Sequence, residues 1–145
     1  QIVQLGAKDE RPVVGCHNLA GQTSVSQCCY LIKNALLHFG VDTFSNHIAA
    51  GYDKKLVCLY SNNYASVVGP NWGSAENQIL VEPPKIASKE LKPSFSFDEN
   101  PKTINTISPS SIAHSICKLL NLNLDYPYTQ LFLGQHHINH TWEME

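Results

Sequence analysis

The chain has 145 residues, of which 43% are hydrophobic and 15% charged, with a formal net charge of −2. That length suits one domain with its own core, and the composition excludes a wholly disordered chain. Ten basic against twelve acidic side chains leave no basic stripe for nucleic acid, and the apolar runs are too short and interrupted to span a membrane.

In chain order, residues 2–5 predict a strand closed by Gly6, and residues 8–11 a polar turn. Residues 12–15 are expected to hold a second short strand. Ser24 then caps a helix, and Gln27, three residues on, completes a capping box. Val25, Cys28, Cys29, Leu31, Ile32 and Ala35 supply its apolar face. Residues 36–41 form a nearly continuous apolar run, as expected of a strand buried on both faces. After an exit turn at 42–45, residues 46–52 predict a short helix and residues 56–60 a second buried strand. Residues 61–73 read as a long polar loop, and residues 78–81 as a strand ended by Pro83 and Pro84.

Residues 85–103, rich in Lys, Ser and Pro, are expected to form a surface loop. Ser108 caps a further helix with Pro109 at its first position, and Ile112, Ile116, Leu119 and Leu120 make that helix amphipathic. Residues 121–128 read as loop, and residues 129–133 with the last five are expected to pair as terminal strands. Strands alternating with helices over short connections predict an α/β fold: a Rossmann-like, doubly wound parallel sheet with helices on both faces. Ligands of such sheets bind beyond the carboxyl ends of the strands. The candidate rim is therefore residues 6–10, 42–47 and 61–73.

Five cysteines, Cys16, Cys28, Cys29, Cys58 and Cys117, are an odd number without regular spacing. They are read as reduced, mostly core residues of a cytoplasmic protein. In that compartment the glycosylation sequon at Asn139 has no meaning. The chain opens on Gln1 inside an apolar stretch and closes on alternating residues, so it is expected to be one domain cut from a longer polypeptide.

The segment most suited to chemistry is Asp42-Thr43-Phe44-Ser45-Asn46-His47. It joins a buried strand to a helix start, where unpaired N–H groups carry partial positive charge and attract phosphate. Thr43, Ser45 and Asn46 add side-chain donors there, His47 can donate to an anion or carry a proton, and Asp42 can accept from a sugar hydroxyl. The plainer alternative is that Ser45 caps the helix and His47 is a surface residue. His136, His137 and His140 would suit a metal only on a helix, and Gly134 argues for a turn, so no metal site is expected. Trp72 either stacks on a base or sugar or packs over the sheet edge.

The stretch from Phe39 to Ala50, followed by Leu56-Val57-Cys58-Leu59-Tyr60, resembles the donor-binding core of glycosyltransferase family 9, the heptosyltransferase-like enzymes. That family's pattern is a strand, Asp-Ser/Thr-Gly, two or three residues, His-Leu/Ile-Ala-Ala, a short turn and another apolar strand. Residues 2–6, Gly21-Gln22-Thr23-Ser24-Val25 and Trp72-Gly73 match flanking parts of the family in the same order. The resemblance implies the C-terminal, nucleotide-sugar-binding half of a GT-B glycosyltransferase that inverts at the anomeric carbon and needs no metal or other cofactor. It implies that Asp42 contacts the donor sugar, Thr43 and His47 its phosphates, and that Lys8 and Thr23 approach the nucleoside. An acceptor glycan and the catalytic base would belong to an N-terminal domain outside these residues, so the isolated chain is expected to be inactive. Phe44 stands where the family has Gly, and its side chain is expected to crowd the phosphate or force another turn. That departure favours a first alternative, a non-catalytic sugar-nucleotide or glycan-binding module. A second is a structural α/β interaction domain in a larger assembly.

Overall fold

The computed structural model describes residues 1–61, 63–83, 103–123, 131–133 and 136–138. At its centre β3 (Leu37–Val41), β4 (Lys55–Leu59) and β5 (Gln78–Val81) form a parallel sheet in the order β3-β4-β5. Phe39 lies opposite Val57, and Val57 opposite Ile79.

The two-residue period of a strand splits β4 between two cores. Leu56, Cys58 and Tyr60 face one side, where they pack with Ile32 of α1 (Val25–Asn34) and with Ala49 and Ala50 of α2 (Phe44–Gly51). Ala65 and Val68 of the short α3 (Ala65–Val68) close the same layer. Val57 and Leu59 face the other side, against Leu119, Ile112 and Ile116 of α4 (Pro109–Leu120) and Ile107 just before it. Helices therefore cover both faces of a parallel sheet, the α/β Rossmann-like arrangement that the alternating pattern predicts. Among the described residues no helix is long and apolar enough to cross a membrane.

Several local expectations are corrected. Residues 12–15 form a turn rather than a strand. The Gln4 side chain donates to the Arg11 carbonyl at 3.0 Å and accepts from the Val13 N–H at 2.8 Å, and Gly15 takes a left-handed φ of 84°. The strand follows the turn: β2 (His17–Asn18) pairs in parallel with β1 (Val3–Gln4). This pair is a separate sheet, tied to the main core through Leu5.

Strand β3 is buried on neither face throughout. It is the edge of its sheet, and α4 covers Leu37 but leaves Phe39 46% exposed and Val41 similarly open. In α1 only Ile32 of the expected apolar face is fully buried. None of the cysteines is paired, and only Cys58 lies in the core, where burial pushes its thiol up to about 11.

The loop at 61–73 contains α3, whose first amide, at Ala65, donates to the Glu82 carboxylate at 2.7 Å. β6 (Leu131–Leu133) pairs antiparallel with β7 (His136–Ile138). His136 and His137 thus sit on a strand, while Gly134, on which the expected turn rested, and His140 lie outside the described residues. The last five residues, and the expected loop at 85–103 apart from Thr103, lie outside the described residues.

Candidate functional site

At the carboxyl end of β3 the chain turns through Asp42, and Thr43 takes the N-cap position of α2. The Asp42 N–H donates to the Leu59 carbonyl at 3.2 Å, which holds the turn beside β4. Its carboxylate hydrogen-bonds no other described residue. Asn46 straps the first turn of α2 to the strand. It is 1% exposed, and its Nδ2 donates to the Val41 carbonyl. The Asn46 Oδ1 has no partner among the described residues.

The Thr43 hydroxyl does not cap the helix. It is hydrogen-bonded to Ser45 Oγ at 2.9 Å, and Ser45 Oγ to His38 Nε2 at 3.1 Å. The first amides of α2 therefore have no side-chain cap and carry the partial positive charge of the helix start. His38 comes from β3, on the face turned toward α2. Burial lowers its pKa and favours the neutral ring. Gly40, two residues on, makes room for this cluster. A Cβ there would lie 3.3 Å from Asn46 Oδ1 and 3.4 Å from His38 Nε2.

The plainer alternative, in which Ser45 caps α2, is thus not observed, and the Asn46 Nδ2 is directed at the Val41 carbonyl. Position 44 needs no glycine for backbone reasons. Only Asp53 and Asn121 among described non-glycine residues have a positive φ, and Phe44, the first residue of α2, is 55% exposed.

His47, one turn into α2, lies against Trp72, with ring centroids 5.8 Å apart and planes tilted by 54°. Trp72 Nε1 donates to the His47 carbonyl at 3.0 Å, and the indole lies close to Gly51. Neighbouring contacts fix this stretch along α2. Gln78 Nε2 donates to the Trp72 carbonyl at 2.8 Å, and Gly73, at a φ of 84°, lies so close to the Ala50 carbonyl that a Cβ would come within 2.7 Å. The Ser74 N–H and hydroxyl donate to the Asp53 carboxylate at 2.6 and 2.9 Å, which holds that carboxyl below its usual range. Trp72 thus packs against α2 rather than over a strand edge, with about half of its surface left exposed.

Lys8 lies on the segment after β1 and Thr23 on the segment after β2. Gly21, at a φ of 68°, lies against the Lys8 backbone, and its N–H donates to the Gly6 carbonyl at 2.8 Å. The Thr23 hydroxyl is engaged with Cys28 Sγ at 3.1 Å. No hydrogen bond among the described residues joins this pair to the α2 start. The structure thus brings Thr43, Ser45 and Asn46 together, with Asp42 beside them, and sets His47 against Trp72. It adds His38, which the sequence reading did not single out. The available signal was the two-residue strand period, which puts His38 and Gly40 on the face toward the helix.

Compared with known proteins, residues 3–96 match the family model described as glycosyltransferase family 9 (heptosyltransferase). No curated protein and no solved structure matches the chain.

Proposed function

Since the chain belongs to glycosyltransferase family 9, we propose that it binds a nucleotide-sugar donor where β3 meets α2. The observation that carries this reading is the start of α2, whose first amides no side chain caps and whose neighbours are the Thr43 hydroxyl and the Asp42 carboxylate. A diphosphate suits such amides because they present N–H donors and a positive dipole end. Asp42 accepts from donor-sugar hydroxyls, Thr43 donates to phosphate, and His47 stabilises the negative charge from one turn further on. Ser45 and Asn46 support the site by holding Thr43 and the first turn. Lys8 and Thr23 approach the nucleoside.

In the transfer itself, an acceptor oxygen forms a bond to the anomeric carbon from the face opposite the diphosphate. The bond from that carbon to the diphosphate oxygen breaks, and its electron pair leaves on the phosphate. The configuration inverts. Donors fixed at the helix start meet the charge as it develops on the leaving group, which lowers the barrier without reorganisation. The acceptor, an acceptor glycan, and the base that takes its proton belong to a further domain, and no metal takes part.

The test is a thermal-shift and calorimetric panel with UDP, ADP, GDP and their common sugar conjugates. A ligand at 100 times its Kd adds about 2.7 kcal/mol of stability, so one base class should raise Tm clearly. His47→Ala should weaken that ligand. If none of these nucleotides shifts the protein, the donor reading is wrong and a purely structural role takes its place. Binding without transfer, when an acceptor domain is supplied, would identify a non-catalytic module.

A further inference from the structure

We propose that His38 is a positioning residue whose Nε2 proton sets the direction of the Ser45–Thr43 hydroxyl relay, so that Thr43 presents its O–H to a bound diphosphate. The inference rests on the donor reading above and adds a residue and a proton position to it.

Each hydroxyl has one proton, so a chain of two hydroxyls has a direction. The chain here runs from His38 Nε2 to Ser45 Oγ at 3.1 Å and on to Thr43 Oγ1 at 2.9 Å. If Nε2 carries a proton, it donates to Ser45, Ser45 donates to Thr43, and the Thr43 proton points outward. If Nε2 is bare, the order reverses. Ser45 donates to the ring, Thr43 donates to Ser45, and Thr43 turns only lone pairs outward. A phosphate has no proton to offer those lone pairs and is repelled. The first direction binds an anion and the second rejects it.

One observation favours the first direction, and a second makes the tautomer the deciding variable. The Asn46 Oδ1 is buried, has no partner among the described residues, and borders the same small space over Gly40 as His38 Nε2. A bare acceptor beside a ring nitrogen favours N–H there over a second lone pair. Burial also keeps the ring neutral, so it has a single proton, and its position on one nitrogen or the other decides the relay. His38 touches the ligand only through Ser45 and Thr43, which makes it a positioning residue.

The experiment combines a spectroscopic readout with variants. Long-range 1H–15N spectra of the imidazoles, in 15N-labelled full chain with and without saturating nucleoside diphosphate, report the His38 tautomer. The expected result is a proton on Nε2 in the bound state. Affinity for the same nucleoside diphosphate is then measured for His38→Leu, His38→Gln and Thr43→Val. Hydrogen bonds to charged groups predict roughly tenfold weaker binding for His38→Leu and for Thr43→Val. The double variant should be little weaker than Thr43→Val alone, because both act through one relay. His38→Gln, which keeps an N–H donor, should restore most of the affinity.

A bound-state proton on Nδ1 overturns the proposal, as does His38→Leu binding like wild type while Thr43→Val does not. If wild type binds no nucleoside diphosphate, the donor reading fails first, and this inference with it. Should His38→Leu fail to fold, the tautomer in the wild-type complex decides alone.

Discussion

Helices α1 and α2 begin alike in sequence and end up doing opposite things. At α1 the Ser24 hydroxyl accepts from the Gln27 N–H at 3.3 Å, and the Gln27 side chain accepts from the Ser24 N–H at 2.8 Å. The helix start is satisfied from within. At α2 the residue in the same position, Thr43, has its hydroxyl hydrogen-bonded to Ser45, and Ser45 is tied to His38 on the neighbouring strand. The amides of α2 are left without a side-chain cap. A helix start that satisfies its own donors serves the fold. One whose polar side chains are held elsewhere leaves its first amides without a side-chain partner, and is held in place by something other than a cap. Here that is Asn46, buried and bonded to the Val41 carbonyl.

The largest effect should come from removing that strap. Asn46→Ala loses the bond to Val41 and leaves a hole, and should cost about 2 kcal/mol in urea unfolding. A loss under about 0.5 kcal/mol would show that α2 is held by its apolar contacts alone.

Next comes the paired exchange of the two N-cap residues. Thr43→Ala should weaken nucleoside diphosphate binding roughly tenfold, the effect of one hydrogen bond to a charged group. It should leave stability within about 0.5 kcal/mol, since no cap is lost. Ser24→Ala should do the reverse, costing about 1 kcal/mol of stability with affinity unchanged. If both substitutions lower stability equally, the contrast between the two helix starts is false.

The smallest effect concerns pH. Burial holds the His38 pKa below its ordinary value of 6.5. As pH falls through 6.5 the unfolded chain takes up a proton that the native ring resists. The unfolded state then binds more protons, so stability falls until the native pKa is passed. This contribution is fully present above pH 6.5. Urea midpoints measured between pH 7.5 and pH 5 should fall less steeply in His38→Gln than in wild type. Parallel curves would mean that His38 is not shielded from water.

What the sequence determined by itself is the part governed by neighbours three or four residues apart, or by strict alternation. The capping box of Ser24 and Gln27, the Ser108–Pro109 start of α4 and the burial of Leu56 to Tyr60 on β4 all rest on such spacings. The motif at 39–50 also placed a turn and a helix where β3 ends. What only the tertiary structure decided depends on partners distant along the chain. Phe39 and Val41 are as apolar as the residues of β4, yet they stay open because β3 is an edge that α4 does not reach. Trp72 lies against His47 because Gln78 and Asp53 hold the stretch between them. Thr43 leaves its cap because Ser45, held by a histidine seven residues back across a turn, is the nearer partner. Local spacing specifies which elements form. Competition among donors and acceptors brought together by folding decides which polar groups remain for a ligand.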